Sequence, residues 1–182
     1  IVFTGVLSEN NNYEILLKAI KTLDPIKNNL NIKFNLAGNV EKDIIDSFSN
    51  FVKTKSAGYL SHNEAISLMK SSHLLVNFNY HGTNKPDMIS GKLIEYLATG
   101  SPIINISHNN SESDSLLSIS EVSATFSEND LDKIISYIYI NYNSWLKGEF
   151  NEKTYCIGIG NDFLWGMLYS SSVIWSKDAT AL

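Results

Sequence analysis

The segment Lys85–Ile106 contains charged and glycine residues whose spacing predicts a ligand site. A helix is expected to begin at Ser90-Gly91, and the unpaired backbone N–H groups of its first turn, with the positive end of the helix dipole, favour an anion. Lys92 lies in the same turn and adds a flexible positive charge, while Gly91 lacks the Cβ that would hold a phosphate away. We therefore expect a phosphate group to bind at the start of this helix.

Two carboxylates accompany this lysine. Glu95 follows Lys92 by three residues and lies on nearly the same helix face, where it can accept two hydrogen bonds from the vicinal hydroxyls of a ribose. Asp87 precedes Glu95 by eight residues, in the loop that leads into the helix. The alternative is that Lys92 and Glu95 form a solvated pair worth roughly a few tenths of a kcal/mol, and that Asp87 makes a turn after Pro86.

The elements that must position these residues are predicted from the hydrophobic pattern. Short apolar runs alternate with segments of helical period, which predicts one α/β domain with a parallel sheet of about six strands and helices on both faces. We expect strands at 1–7, 32–38, 55–60, 74–80 and 101–106, with a last one within 120–126. We expect helices at 12–23, 41–53, 61–72, 91–99 and 128–145, with SHNNSESDS as a loop. Ser61 and Glu64 have the spacing of a capping box at the start of the third helix.

Ligands of open parallel sheets bind beyond the carboxyl ends of the strands, so glycines near those ends are candidate binding residues. Gly5 and Gly38 meet this condition, in the first and second predicted strands. The alternative is that both serve backbone conformation alone. A receiver-like phosphoacceptor domain is disfavoured, because the tips of the first and third predicted strands carry no acidic cluster.

Composition excludes several classes of protein. The chain has 182 residues, of which 43% are hydrophobic and 18% charged, and this suits a single folded domain. All fourteen basic residues are lysine and the net charge is -5, which argues against a nucleic-acid partner. The lone Cys156 and the absence of zinc-type spacing predict a protein of the reducing cytoplasm without a structural metal.

Neither a membrane span nor a signal peptide is predicted from the hydropathy pattern. The aromatic run at 163–175 is expected to be a helix packed on the core, with a membrane-surface patch as the alternative. Because the sequence opens without a methionine in an apolar run, we expect it to be part of a longer protein.

The segment GKLIEYLATGSPIINI, with Asp87 eight positions before Glu95, resembles the donor-binding signature of GT-B glycosyltransferases. The similarity is strongest to glycosyltransferase family 4, and to its members in bacterial capsule and lipopolysaccharide synthesis. Three further segments resemble this family in the same order: TGVLSENNNYEILLKAI, FNLAGNV and GYLSHNEAISLMKSSHLLVNF. The resemblance covers about residues 1–145. It implies that the chain is the Rossmann-like, nucleotide-sugar-binding C-terminal lobe of a GT-B fold. It also implies that residues 146–182 form a helical tail and that the N-terminal acceptor lobe lies outside this chain.

The resemblance also implies roles for individual residues. Glu95 matches the second glutamate of the family's E-x7-E motif, which holds the donor ribose, and Asp87 replaces the first, at the catalytic position near the transferred sugar. The implied donor-binding residues are Glu95, Lys92, Gly91, Ser90, Gly5 and Gly38, with Lys85 a weaker candidate. The arginine and lysine that usually clamp the donor pyrophosphate are replaced by Val6 and Asn11, and Asn109 and Asn110 stand where glycines are common.

These matches imply a parent enzyme that transfers a sugar from a nucleoside diphosphate donor to a glycan or lipid-linked acceptor. The resemblance implies neither a cofactor nor a metal, since the diphosphate is stabilised by backbone N–H groups and basic side chains. The isolated lobe is expected to be inactive, and the parent to be cytoplasmic or peripheral at the inner face of the membrane. The alternative is a degenerate lobe that binds nucleotide weakly or not at all and serves as a scaffold.

Overall fold

The computed structural model describes residues 1–79, 89–107 and 111–149, and within them six strands form one all-parallel sheet of order β3-β2-β1-β4-β5-β6. The strands are β1 Val2–Leu7, β2 Lys33–Val40, β3 Lys53–Ser56, β4 Leu75–Phe78, β5 Ile103–Ile106 and β6 Ala124–Phe126. The strand order reverses between β1 and β4, as in doubly wound nucleotide-binding folds. The predicted Rossmann-like α/β domain is confirmed.

Helices cover both faces of this sheet, as the alternating pattern predicts. They are α1 Glu14–Leu23, α2 Lys42–Ser49, α3 His62–Lys70, α4 Gly91–Ala98, α5 Glu112–Leu117 and α6 Leu131–Leu146. One hydrophobic cluster joins α1, α2 and α6 to one face of the sheet, and a second joins α3, α4 and α5 to the other. Successive side chains of a strand point to opposite faces of the sheet, and accordingly Phe3 of β1 belongs to the first cluster and Val2 to the second.

The start of α3 is fixed by its sequence, as predicted. The Ser61 side chain accepts a hydrogen bond from the Glu64 backbone N–H, and the Glu64 carboxylate accepts one from the Ser61 N–H at 2.9 Å. This capping box satisfies two backbone donors at once and holds the first turn in place.

Several of the predicted elements differ in the structure. The second helix, predicted over 41–53, ends at Ser49, because Lys53 already pairs with Lys33 of β2 as the first residue of β3. The segment predicted as the loop SHNNSESDS contains the short helix α5, which begins after Ser111, whose side chain accepts from the Asp114 N–H. The third strand covers Lys53–Ser56 rather than 55–60, because Gly58 adopts a φ of 64° and turns the chain out of the sheet. β2 continues beyond Gly38 to Val40.

Several predictions fall on residues that the structure leaves undescribed. Asp87, Lys85, residues 163–175 and most of the predicted tail, from 150 onward, lie outside the described ranges. Within those ranges no helix has the length and hydropathy needed to cross a membrane. The described residues also contain no cluster of three or more histidine, cysteine, aspartate or glutamate side chains that could bind a metal ion.

Candidate functional site

The carboxyl ends of β1 and β4 separate and leave a gap, which we call the crevice. These two strands pair only at Val2 and Leu75, whereas β1 pairs with β2 along its whole length. Beyond Val2, the backbone N–H of Thr4 donates to the hydroxyl of Tyr96 at 2.9 Å instead of to β4. The crevice therefore lies where the strand order reverses, which is the usual ligand position in folds of this kind.

Tyr96 fixes α4 against this opening. Its side chain is completely buried, and its hydroxyl lies 3.2 Å from the Thr4 Oγ1 in addition to accepting from the Thr4 N–H. Burial raises the pKa of Tyr96 to about 12, so its hydroxyl stays protonated. This contact determines how close the start of α4 lies to β1.

The start of α4 carries the predicted anion-binding residues. The Ser90 side chain accepts a hydrogen bond from the Leu93 N–H at 3.3 Å, so Ser90 is the N-cap and Gly91 the first helical residue. A Cβ added at Gly91 would meet no atom of the described residues within 4 Å, so on their side the backbone there is open to an approaching group. The remaining N–H groups of the first turn have no partner within the helix.

Lys92 extends from this helix start into the crevice. Its Nζ lies 4.3 Å from the centroid of the Phe3 ring, and a Cβ added at Gly5 would lie 3.2 Å from the same Nζ. Since α4 packs on one face of the sheet and Phe3 on the other, the lysine reaches through the gap between the strands.

The charge of Lys92 lacks a carboxylate counter-charge within the described part of the chain. Burial lowers the pKa of Lys92 from its ordinary value of 10.5 to about 8, and the aromatic face of Phe3 is its cation–π neighbour there. None of the ion pairs between described residues includes Lys92. A buried cation in this position favours the binding of an anion, which would supply the missing counter-charge.

Glu95 lies one helical turn beyond Lys92 and is partly exposed. Its Oε1 is 4.0 Å from Nδ1 of His62, at the first position of α3, and the side chains are 34% and 46% exposed respectively. Among the described residues, no side chain or backbone group donates a hydrogen bond to this carboxylate. Both of its oxygens can therefore accept from a diol. His62 is a neighbour that sequence reasoning missed, because only the packing of α3 beside α4 brings the two together.

Gly5 and Gly38 face each other across β1 and β2. They are register partners with φ values of 122° and 108°, and a Cβ added at Gly38 would lie 2.1 Å from the Gly5 carbonyl oxygen. Gly38 is therefore required for the close pairing of these strands. Gly5 leaves room for Lys92, whereas a donor-binding role for either glycine remains a prediction.

The loop between β1 and α1 is held by an internal hydrogen bond and contains no basic residue. Asn11, at one position of the usual clamp, is buried and accepts from the Ser8 N–H at 3.0 Å, while Val6, at the other, is exposed. The Asn12 N–H donates to the Asn79 carbonyl at 2.9 Å. The buried Oδ1 of Asn12 has no partner within the described residues, a feature that sequence alone does not reveal.

Comparison with known proteins decides the family. The glycosyl transferase-like family model matches residues 18–142, which is more than half of the chain. The chain belongs to this glycosyl transferase-like family. The match includes α4 with Lys92 and Glu95 and the strands β2 to β6, whereas β1 precedes it. No curated protein matches the sequence.

Solved structures resemble this glycosyl transferase-like chain in fold. WaaG, a glycosyltransferase involved in lipopolysaccharide biosynthesis, is 14% identical with a TM-score of 0.59, over 84% of this chain and 40% of that one. Anabaena HepE, in complex with UDP-glucose, is 14% identical with a TM-score of 0.54, over 85% of this chain and 41% of that one. The UDP-GlcNAc 2-epimerase of Neisseria meningitidis, bound to UDP-GlcNAc, is 16% identical with a TM-score of 0.55, over 93% of this chain and 44% of that one.

This chain therefore spans about two fifths of WaaG and of HepE. Together with the family match, these likenesses identify the domain as a Rossmann-like lobe of the GT-B fold, as predicted. Assignment to family 4 in particular remains a prediction.

Proposed function

We propose that this chain is the donor-binding lobe of a glycosyltransferase that uses a nucleoside diphosphate sugar. The observation that carries the proposal is Lys92, a buried cation without a described carboxylate partner, at a helix start in the crevice. Glu95 adds an available carboxylate one turn further along the same helix. In this proposal the Lys92 amine contacts the diphosphate of the donor, and the Glu95 carboxylate accepts hydrogen bonds from its ribose hydroxyls.

The proposed role of these groups follows from the negative charge that develops on the diphosphate when the sugar is transferred. As the bond between the sugar and the diphosphate cleaves, negative charge accumulates on the leaving diphosphate. Lys92 and the first N–H groups of α4 would stabilise that charge in a partly desolvated place, where such interactions are strongest. Ser90 and Gly91 contribute by capping the helix and by leaving its backbone open.

The donor class is supported by the fold relatives, since HepE and the Neisseria epimerase were solved with UDP-sugars. A glycan or lipid-linked acceptor is supported by the resemblance and by WaaG, which acts in lipopolysaccharide biosynthesis. We propose that the acceptor lobe belongs to a longer parent and that this lobe alone does not turn over. A cytoplasmic or membrane-peripheral location, the absence of a metal requirement and the role of Asp87 near the transferred sugar rest on the resemblance.

The test is a thermal-shift titration of the chain with UDP, GDP, dTDP and CDP. A ligand at about 100 times its Kd stabilises a fold by about 2.7 kcal/mol, which raises the Tm of a domain of this size by several degrees. Lys92→Ala should weaken binding by about 1.5 to 3 kcal/mol through loss of a charged phosphate contact. Lys53→Ala removes the same charge from an exposed position at the amino end of β3 and should leave binding unchanged.

Two results would contradict the proposal. Equal binding by Lys92→Ala and the unaltered chain would show that the diphosphate lies elsewhere. Absence of any shift with all four nucleotides, in this chain and in its full-length parent, would favour the degenerate scaffold lobe, which the family match does not support.

A further inference from the structure

The pair formed by His62 and Glu95 joins two helices at the rim of the crevice. His62 is the first residue of α3 and Glu95 lies in the middle of α4, so their contact depends on the packing of the two helices. Their separation of 4.0 Å permits ionic attraction but exceeds the length of a hydrogen bond. A small movement of either side chain would therefore convert the contact into a hydrogen bond.

The backbone that carries His62 is held firmly. Ser61, immediately before it, forms the capping box with Glu64, at distances of 2.9 Å for the backbone donor and 2.6 Å between the side chains. The Glu64 carboxylate is therefore already engaged with Ser61. Among described residues, the ion pairs of His62 comprise only its contact with Glu95.

A carboxylate that binds a diol must present both oxygens in a defined plane, because each hydroxyl donates to one of them. A glutamate side chain turns freely about its terminal bonds unless a neighbour restricts it. His62 approaches Glu95 from the side of α3 and can restrict the carboxylate without closing it to solvent, since the Glu95 side chain remains 34% exposed.

We propose that His62 is the positioning residue for Glu95 and that it sets the preference of the site for ribose over 2′-deoxyribose nucleotides. This inference rests on the proposed function, in which Glu95 holds the donor ribose. His62 itself acts through the carboxylate. The competing explanation is an exposed ion pair without effect on binding, which is common on protein surfaces.

The experiment compares the Kd of a ribonucleoside diphosphate with that of its 2′-deoxy form by isothermal titration. UDP, GDP or CDP is used, whichever binds the unaltered chain most tightly. His62→Ala should lower the ribose preference by about two- to fivefold, the range expected for the loss of one exposed polar contact. His62→Asn should restore it, because the asparagine amide can donate from nearly the position of the imidazole Nδ1.

Two controls separate positioning from a general effect on the helix. Asn63→Ala alters the next exposed residue of α3 and should leave the ribose preference unchanged. In a Glu95→Gln background, His62→Ala should cause no further loss, because the group through which it acts is gone.

The outcomes distinguish this inference from the proposed function. A ribose preference that Glu95→Gln lowers and His62→Ala leaves intact would overturn the inference alone. Failure of UDP, GDP and CDP alike to bind, or a preference that Glu95→Gln leaves unchanged, would overturn the proposed ribose site and the inference with it. The inference would be supported by a lower ribose preference in His62→Ala and its recovery in His62→Asn. It also requires that adding His62→Ala to Glu95→Gln lowers the preference no further.

Discussion

Nucleotide affinity should fall as the pH rises above 8, because the cation that we place on the diphosphate titrates in that range. Burial lowers the pKa of Lys92 to about 8, whereas a nucleoside diphosphate is fully ionised above neutral pH. If only the charged amine binds the diphosphate, the Kd should rise about tenfold between pH 7 and pH 9. Binding should take up about half a proton at pH 8, since the diphosphate restores the charge of Lys92.

Isothermal titration from pH 7 to pH 9.5, in two buffers that differ in ionisation enthalpy, measures both quantities. Lys92→Arg is the matched control, because a guanidinium remains charged throughout this range. Its affinity should vary little with pH and its binding should take up no proton. A Kd for the unaltered chain that is constant across this range, or a pH dependence retained in Lys92→Arg, would refute the assignment of Lys92 to the diphosphate.

The same pKa shift has the opposite consequence for the fold without nucleotide. Lys92 titrates near 8 in the folded chain and near its ordinary 10.5 when unfolded, so between these values the unfolded chain binds more protons. The contribution of Lys92 to stability therefore rises with pH across this window. Lys92→Met, which can lie over Phe3 without a charge, should raise the free energy of unfolding at pH 7 while it weakens diphosphate binding as Lys92→Ala does. A destabilised Lys92→Met would contradict the idea that this charge is costly to the fold.

Three substitutions test the framework around the crevice, each by urea denaturation with nucleotide titration. Tyr96→Phe leaves the Thr4 N–H of β1 without its acceptor and should cost about 1–3 kcal/mol, whereas the exposed Tyr59→Phe should change little. Gly38→Ala should prevent folding, because its Cβ would lie 2.1 Å from a backbone oxygen of β1, and a stable variant would show that β1 and β2 can separate. Gly91→Ala adds a methyl group that meets no atom of the described residues, so this variant should fold normally while it weakens diphosphate binding. Unchanged binding would show that the phosphate does not lie at this helix start.

Sequence reasoning succeeded where hydrophobic period and capping act together, and failed where polar contacts form the element. α3 and α4 begin at the predicted residues because Ser61 and Ser90 are N-caps followed by apolar residues at helical spacing. α5 has no such apolar stripe. Its Ser113 is buried and accepts from the Asn105 amide at 3.1 Å, within a network of neutral side chains below the helix. A serine-rich segment typical of loops thus becomes a helix through tertiary contacts that no local pattern encodes.

The candidate site shows the same division. The sequence correctly predicted that Lys92 and Glu95 lie on the helix that begins after Ser90, and their spacing of three residues predicted that they share a face. The separation of β1 from β4, by which Lys92 reaches Phe3, could not be predicted because it depends on the Tyr96 hydroxyl replacing a strand partner. The distance between His62 and Glu95 likewise depends on how two helices pack.

The position of Lys92 is easier to explain by binding than by stability. A methionine or leucine there could cover Phe3 and would avoid the desolvation that lowers the lysine pKa. The usual clamp positions after β1 hold Val6 and the buried Asn11, neither of which supplies positive charge. Since the chain contains no arginine, lysine is its residue type that carries a full positive charge at neutral pH and can contact a diphosphate in the crevice. Lys92 is placed to do so among the described residues, and a bound anion would offset the unfavourable burial of its charge. A residue that costs the empty fold stability but suits an anion is expected at a functional site rather than in a scaffold.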